Sequence, residues 1–331
     1  MTTLVQPSTA HSSTSCSRNQ RSLYVSKATL QGRRPHQEDR IFTADLLLDL
    51  HEKGRVSSMD KCNRLLLFAV CDGHKGDKAA QFFCDNVVNA FWEATVEIEG
   101  KEGAIPLEDV EKLQNSLKTI LNLTIELLDK SYLKRAKVTK EKDGSCVTAL
   151  LVLNNHMFFC NLGDCRSLRI NKGRITQITR DHQPGLNSAE DKRVLDAGAK
   201  IDGSRTTKRV VARGMRMAIT RALGDRLLKP SIIISKPDIF YFEISSDLSF
   251  VILCSDGVTS RVSNKKILEI ISKKTSTANE ISMPKKKNAL KSTDAPKAFD
   301  RVQNLAKELC DFAYTKAFSL DNISALVVKV V

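Results

Sequence analysis

From Tyr24 onward apolar residues gather into short unbroken runs, with polar and glycine-bearing stretches between them. Leu65 to Cys71, Val147 to Leu153, Met157 to Asn161, Phe250 to Cys254 and Ile323 to Val330 are each of strand length and apolar at nearly every position. A strand that is apolar on both faces belongs between two layers. Helical period marks Lys78 to Ala94 and Glu108 to Leu133; in the second, Leu113, Leu117, Ile120, Leu121 and Leu128 return at three or four residue spacing on one face. Lys266 to Ile271 and Arg301 to Tyr314 are shorter helix candidates. Strands and helices do not alternate at the even spacing of a doubly wound parallel sheet. The pattern therefore predicts an α+β fold, a central antiparallel β-sandwich with helices outside. No repeat or long linker interrupts it, so residues 23–331 read as one domain behind a Ser- and Thr-rich tail, residues 1–22, expected to be disordered.

Composition narrows the class. The 331 residues are 41% apolar and 27% charged, and no stretch approaches the roughly 20 apolar residues of a membrane span. The N-terminus lacks the apolar run of a secretory signal, and Thr2 stands where N-myristoylation needs Gly. Nine cysteines, an odd number without zinc-type or disulfide-type spacing, sit mostly inside apolar runs. They read as buried free thiols in a reducing compartment, the cytoplasm, with the nucleus as the second expectation. The net charge is +14, and much of the excess lies in Lys273 to Lys297, where Lys285, Lys286 and Lys287 follow Pro284. That stretch has neither apolar period nor interleaved aromatics. It is expected to be a flexible basic insertion at about residues 273–298 rather than a specific nucleic-acid site.

The candidate chemistry lies in where the carboxylates fall. Asp72, Asp164, Asp256 and Asp321 each sit just before or after an apolar strand-like run, and Asp72 and Asp256 are each followed by Gly. One such Asp is ordinarily a turn residue. Four of them, with Glu38 and Asp39 adjacent in an early polar loop, would converge on one anionic pocket if the strands share a sandwich. Such a pocket calls for cations, because clustered carboxylates repel and raise one another's pKa. Oxygen ligands without Cys or His partners favour magnesium or manganese. Two such ions suit phosphoryl displacement.

Six ordered segments carry a resemblance: Gly32 to Asp39 (GRRPHQED), Phe68 to His74 (FAVCDGH), Asn161 to Arg166 (NLGDCR), Thr220 to Asp225 (TRALGD), Ser255 to Gly257 (SDG) and Asp321 to Ser324 (DNIS). Together with Gly144-Ser145-Cys146 and Asp181-His182-Gln183-Pro184, they resemble the type 2C, metal-dependent (PPM) serine/threonine protein phosphatases, over roughly Tyr24 to Val331. The resemblance implies a four-layer αββα fold and hydrolysis of phosphoserine and phosphothreonine by a hydroxide held between two Mn2+ or Mg2+ ions, without a phosphoenzyme. By position it implies that Asp72 bridges both ions, with Glu38 and the Gly73 carbonyl on one and Asp256 and Asp321 on the other. Asp39 would hold metal-bound water, and Asp164 with Asp256 would match the weaker third-ion site of some members. Arg34 would grip the substrate phosphate, where a planar guanidinium offers two parallel hydrogen bonds. His74 would act as general acid toward the leaving oxygen. Phosphoprotein substrates and a monomeric state complete the expectation. Lys75, Cys165 and Val258-Thr259-Ser260 depart from the family's usual residues.

Two other readings compete. Cys160 to Ser167 fits the Cys-x-x-Gly-x-x-Arg-Ser pattern of cysteine-based phosphatases, which need a helix N-terminus behind the thiolate; Leu168 to Ile178 instead reads as strand, turn and strand about Gly173. The other is a pseudophosphatase scaffold, which would ordinarily have lost metal carboxylates; none is missing here.

Overall fold

The computed structural model describes residues 21–46, 64–102, 109–204, 207–280 and 302–331. The tail expected over residues 1–22 lies outside the described residues except at its end, as do residues 281–298 of the basic insertion.

Two antiparallel sheets face one another. The first runs in the order β1 (Leu23–Leu30), β14 (Ile323–Val330), β13 (Leu248–Cys254), β6 (Arg166–Asn171), β7 (Arg174–Gln177). The second runs β12 (Asp238–Glu243), β5 (His156–Leu162), β4 (Gly144–Leu153), β3 (Leu65–His74), β2 (Arg40–Asp45), with β11 (Leu223–Gly224) also on β4. A small third sheet comprises β8 (Lys200–Asp202), β9 (Arg209–Ala212) and β10 (Met215–Met217).

Strand alternation explains why the long runs are apolar throughout. On β3, Leu66, Phe68 and Val70 point between the sheets, where they meet Val251, Leu253, Leu326 and Val328. Leu65, Leu67, Ala69 and Cys71 point the other way, onto helices α1 (Lys78–Glu102) and α2 (Val110–Thr139). The outer face of the first sheet, with Ile252, Ala325 and Val327, is covered by Val258 of α4 (Asp256–Thr259), Ile267 of α5 (Asn264–Glu280) and Leu305 and Leu309 of α6 (Leu305–Thr315). Each sheet thus buries both faces, giving the αββα sandwich. The five helical positions predicted to face the core of α2 are all buried. Among the described residues, no helix is long and apolar enough to cross a membrane.

One expectation needs correction. Residues 273–280, read as the start of a flexible insertion, continue α5 to Glu280. The segment lacks an apolar period, but it gains anchorage from Lys274, whose Nζ lies 2.6 Å from Glu308 on α6.

Register decides where the chemistry collects. Arg40 pairs with Cys71, so Glu38 and Asp39 enter β2 beside the point where β3 delivers Asp72. Cys254 pairs with both Ala325 and Arg166, which sets Asp256, Asp321 and Asp164 at the same end of the other sheet.

Candidate active site

At that end a cleft of about 330 Å³ is lined by Arg34, Glu38, Asp72, Gly73, His74, Cys146, Asp164, Asp256 and Asp321, and on the wall formed with the small sheet by Lys75, Arg209, Arg216 and Met217. Every metal, phosphate and proton-transfer residue predicted from sequence reaches this one cleft, while Asp39 lies buried behind it.

The two Asp-Gly steps owe their Gly to close approach rather than to a left-handed turn. A Cβ on Gly73 would stand 2.6 Å from the Glu38 carbonyl oxygen, and one on Gly257 would collide with the Asn322 carbonyl. Only Gly lets these chain segments draw together.

Repulsion and burial mark the carboxylates. Asp72 is pushed well above the usual carboxylate range, first by burial and then by the charges of Asp39, Asp256, Asp164 and Asp321. Burial, reinforced by Asp164, Asp321 and Asp39, pushes Asp256 up to about 8. Burial likewise raises Asp39 to about 7, although Ser255 donates a hydrogen bond to its Oδ2 at 3.0 Å; its buried Oδ1 has no hydrogen-bond partner. An orphaned buried oxygen and mutually repelling carboxylates are what a hard cation would relieve, and the donor set is oxygen throughout. As they stand, no group of three His, Cys, Asp or Glu side chains among the described residues is arranged to hold a metal ion. Two of the carboxylates are engaged elsewhere. Asp321 Oδ2 accepts from Arg34 at 2.7 Å, and Asp164 accepts from Gln183 Nε2 at 2.7 Å and from the Cys146 thiol at 3.3 Å. Arg34, expected to grip the substrate phosphate, is also the ion-pair partner of a proposed ligand.

Several positioning residues were not assigned a role from sequence. Asp225, the last residue of the Ala-Leu-Gly-Asp segment, is buried, and its Oδ2 lies 2.7 Å from His74 Nε2. Burial opposes charge on that imidazole, but the Asp225 carboxylate outweighs it and the pKa is raised. Asp225 is itself held, its N–H donating to the Asp143 carbonyl at 3.0 Å. Asp143 accepts from Tyr132 of α2 at 2.6 Å and from the Ala79 N–H of α1 at 2.8 Å. Asn322 pins the loop that carries Arg34 and Glu38: its Oδ1 accepts from Glu38 N at 2.8 Å, and its Nδ2 donates to the Gln31 and His36 carbonyls at 2.7 and 2.9 Å. Its place directly after Asp321 was the available signal. The Asp181 to Pro184 segment props the Asp164 turn. Asp181 accepts a fork of hydrogen bonds from Arg166, and His182 Nδ1 accepts from Gly163 N at 3.0 Å.

The cysteine-phosphatase reading fails on position. Cys160 lies within β5, buried, with burial and then Asp238 pushing its thiol up to about 12, far from a thiolate nucleophile at a helix N-terminus. All seven described cysteines are free.

The family described as Protein phosphatase 2C matches residues 34–319. Among curated relatives, the chain is 27% identical over 263 residues to Probable protein phosphatase 2C 76 of Arabidopsis thaliana, covering 80% of this chain and 51% of that protein. It is 29% identical over 250 residues to Protein phosphatase 1L of Bos taurus, covering 75% of this chain and 62% of that one. The chain thus spans about half to three-fifths of these relatives' length. Among solved structures, a serine-threonine phosphatase 2C from Toxoplasma gondii superposes with a TM-score of 0.72 at 20% identity, covering 93% of this chain and 94% of that chain. A C. elegans sex determining protein superposes with a TM-score of 0.69 at 24% identity, covering 93% and 64%. These two likenesses establish the fold.

Proposed function

The chain belongs to the protein phosphatase 2C family, and from that premise we propose that it hydrolyses phosphoserine and phosphothreonine in phosphoprotein substrates with two Mn2+ or Mg2+ ions. The observation that carries this reading is the convergence of Glu38, Asp72, Asp256 and Asp321, with Arg34 and His74, on one cleft.

Asp72, at the end of β3, would be shared between the two ions, with Glu38 and the Gly73 carbonyl completing one and Asp256 and Asp321 the other. Asp164 with Asp256 would hold the weaker third ion, and Asp39 would order metal-bound water. When bound, such ions supply Lewis acidity toward a water and the phosphoryl oxygens. Arg34, half exposed at the cleft's mouth, turns from Asp321 to the phosphate and orients it by paired hydrogen bonds. His74 gives its proton to the departing Ser or Thr oxygen, which is too basic to leave unaided near neutral pH. With Nε2 engaged by Asp225, Nδ1 is the nitrogen left to deliver that proton. Asp225 holds the ring in place and favours its protonated form.

A second reading has one specific support. The Arg34–Asp321 ion pair, which occupies the phosphate-binding guanidinium and a proposed metal carboxylate with one another, is what an inactive scaffold of the same fold would carry. One assay separates the two. Purified full chain with manganese is expected to release phosphate from a phosphothreonine peptide, to stop on chelation, and to be indifferent to iodoacetamide. Asp72→Ala or Asp256→Ala should lower turnover by about a thousandfold while leaving the chain folded. Absence of phosphate release with any divalent metal would favour the scaffold.

A further inference from the structure

The cleft wall formed with the small sheet is basic, and the hydrolytic reading does not use it. Lys75, Arg209 and Arg216 join Arg34 in lining it. Arg209 and Arg216 come from β9 and β10, neighbouring strands of the small sheet. Lys200 to Met217 carries Lys200, Arg205, Lys208, Arg209, Arg213 and Arg216 against a single acid, Asp202. Of these, Arg209 and Arg216 stand at the cleft itself.

The wall is built on its own core. Val210 and Met217 are buried against Val194 of α3 (Ser188–Asp196) and Ile219, so the strands offer their cations from a packed support. Lys75 ties wall to floor: its backbone has φ 61°, and its Nζ lies 2.9 Å from Met217 Sδ and 3.4 Å from Asp225 Oδ1. Lys75 is thus committed to an acid. Arg209 is not. Its guanidinium donates to the Lys208 carbonyl at 2.9 Å, and among the described residues it joins no ion pair. Arg216 pairs with Asp202 at 2.8 Å, but both side chains are more than half exposed, so an incoming anion can exchange for Asp202 at little cost.

We propose that this wall selects substrates in which the phosphorylated Ser or Thr is flanked by a second anionic residue, a carboxylate or another phosphate. The proposal rests on the phosphatase reading above. With the target phosphate among the carboxylate-side groups and Arg34, an extended peptide places its next residues roughly 3–7 Å further on. They lie against Arg209 and Arg216, where the guanidinium fork matches a carboxylate or phosphate.

The test compares kcat/KM of the full chain with manganese on four phosphothreonine peptides, with neutral, acidic or lysine flanks or a second phosphothreonine. The acidic and doubly phosphorylated peptides should be preferred over the neutral one by about three- to tenfold, mainly through KM, and the preference should shrink at high salt. Arg209→Ala/Arg216→Ala should bring the ratio near one, and Arg209→Lys/Arg216→Lys should restore part of it. Arg213→Ala, which removes a charge from the same sheet outside the cleft, should keep it. Equal rates on the four peptides with normal turnover, or a preference that survives the double alanine change, would overturn the proposal and leave the phosphatase reading intact. No turnover of any peptide would sink both.

Discussion

Glu190 illustrates how a single side chain near the site is governed by its partners. It is buried on α3, and its carboxylate accepts from Arg221 at 2.7 Å, from Arg193 at 3.0 Å and from the Thr220 hydroxyl at 2.8 Å. Burial alone would raise its pKa, but these three hydrogen bonds and the charge of Arg221 lower it from 4.5 to about 2. A depressed carboxylate contributes stability that is present above its unfolded pKa and is lost as pH falls through the folded one. Glu190→Gln is therefore expected to cost about 3 kcal/mol near neutrality. Thermal melts should show the gap between wild type and variant closing from pH 4.5 downward, small at pH 2 and lost below it. A gap that persists unchanged at pH 2 would assign the loss to packing instead. The triad Thr220, Arg221, Glu190 also holds the strand leading to Asp225, so this pair network supports the partner of His74.

At the scale of elements, the loop between β1 and β2 depends on a residue at the start of β14. Asn322 uses both ends of its amide on that loop, reaching back 284 residues to Glu38. Replacing it with Ala is expected to lower stability by about 3 kcal/mol, from three lost hydrogen bonds at a buried position. It should also cut kcat/KM by about a hundredfold, because Arg34 and Glu38 lose their placement. Asn122→Ala is the matched control. That residue occupies the same kind of Asn-x-Ser/Thr triplet, but its side chain only returns to the Lys118 carbonyl within α2. The central strands were legible because burial on both faces makes a strand apolar throughout, and Ile323–Val330 is recovered residue for residue. Edge strands β1 and β2 were not, since half-buried positions mix polar residues into LYVSKATL and RIFTAD without a continuous run, and edge strand β12 offers an apolar run of only four residues, Ile239 to Phe242. Helix α5 was underestimated for a related reason: its second half gains anchorage from a neighbouring helix, not from an apolar stripe of its own.

For the whole molecule, the sandwich acts as a frame that forces like charges together. The sequence placed each carboxylate at a strand end, and the antiparallel register then made all of those ends one end. The pairing of Arg34 with Asp321, 287 residues away, had no local signature and emerges only from the folded chain. So does the basic wall, whose cations are spread over a small sheet that no apolar run announces. The carboxylates lie where the core cannot dilute their repulsion, and the account holds that hard cations offset it. Manganese binding to the full chain, followed by the loss of free-ion paramagnetic signal, tests this most directly. Two tightly held ions per chain, falling to fewer than one in Asp72→Asn, is the predicted result; a wild-type chain that holds no manganese would contradict the account.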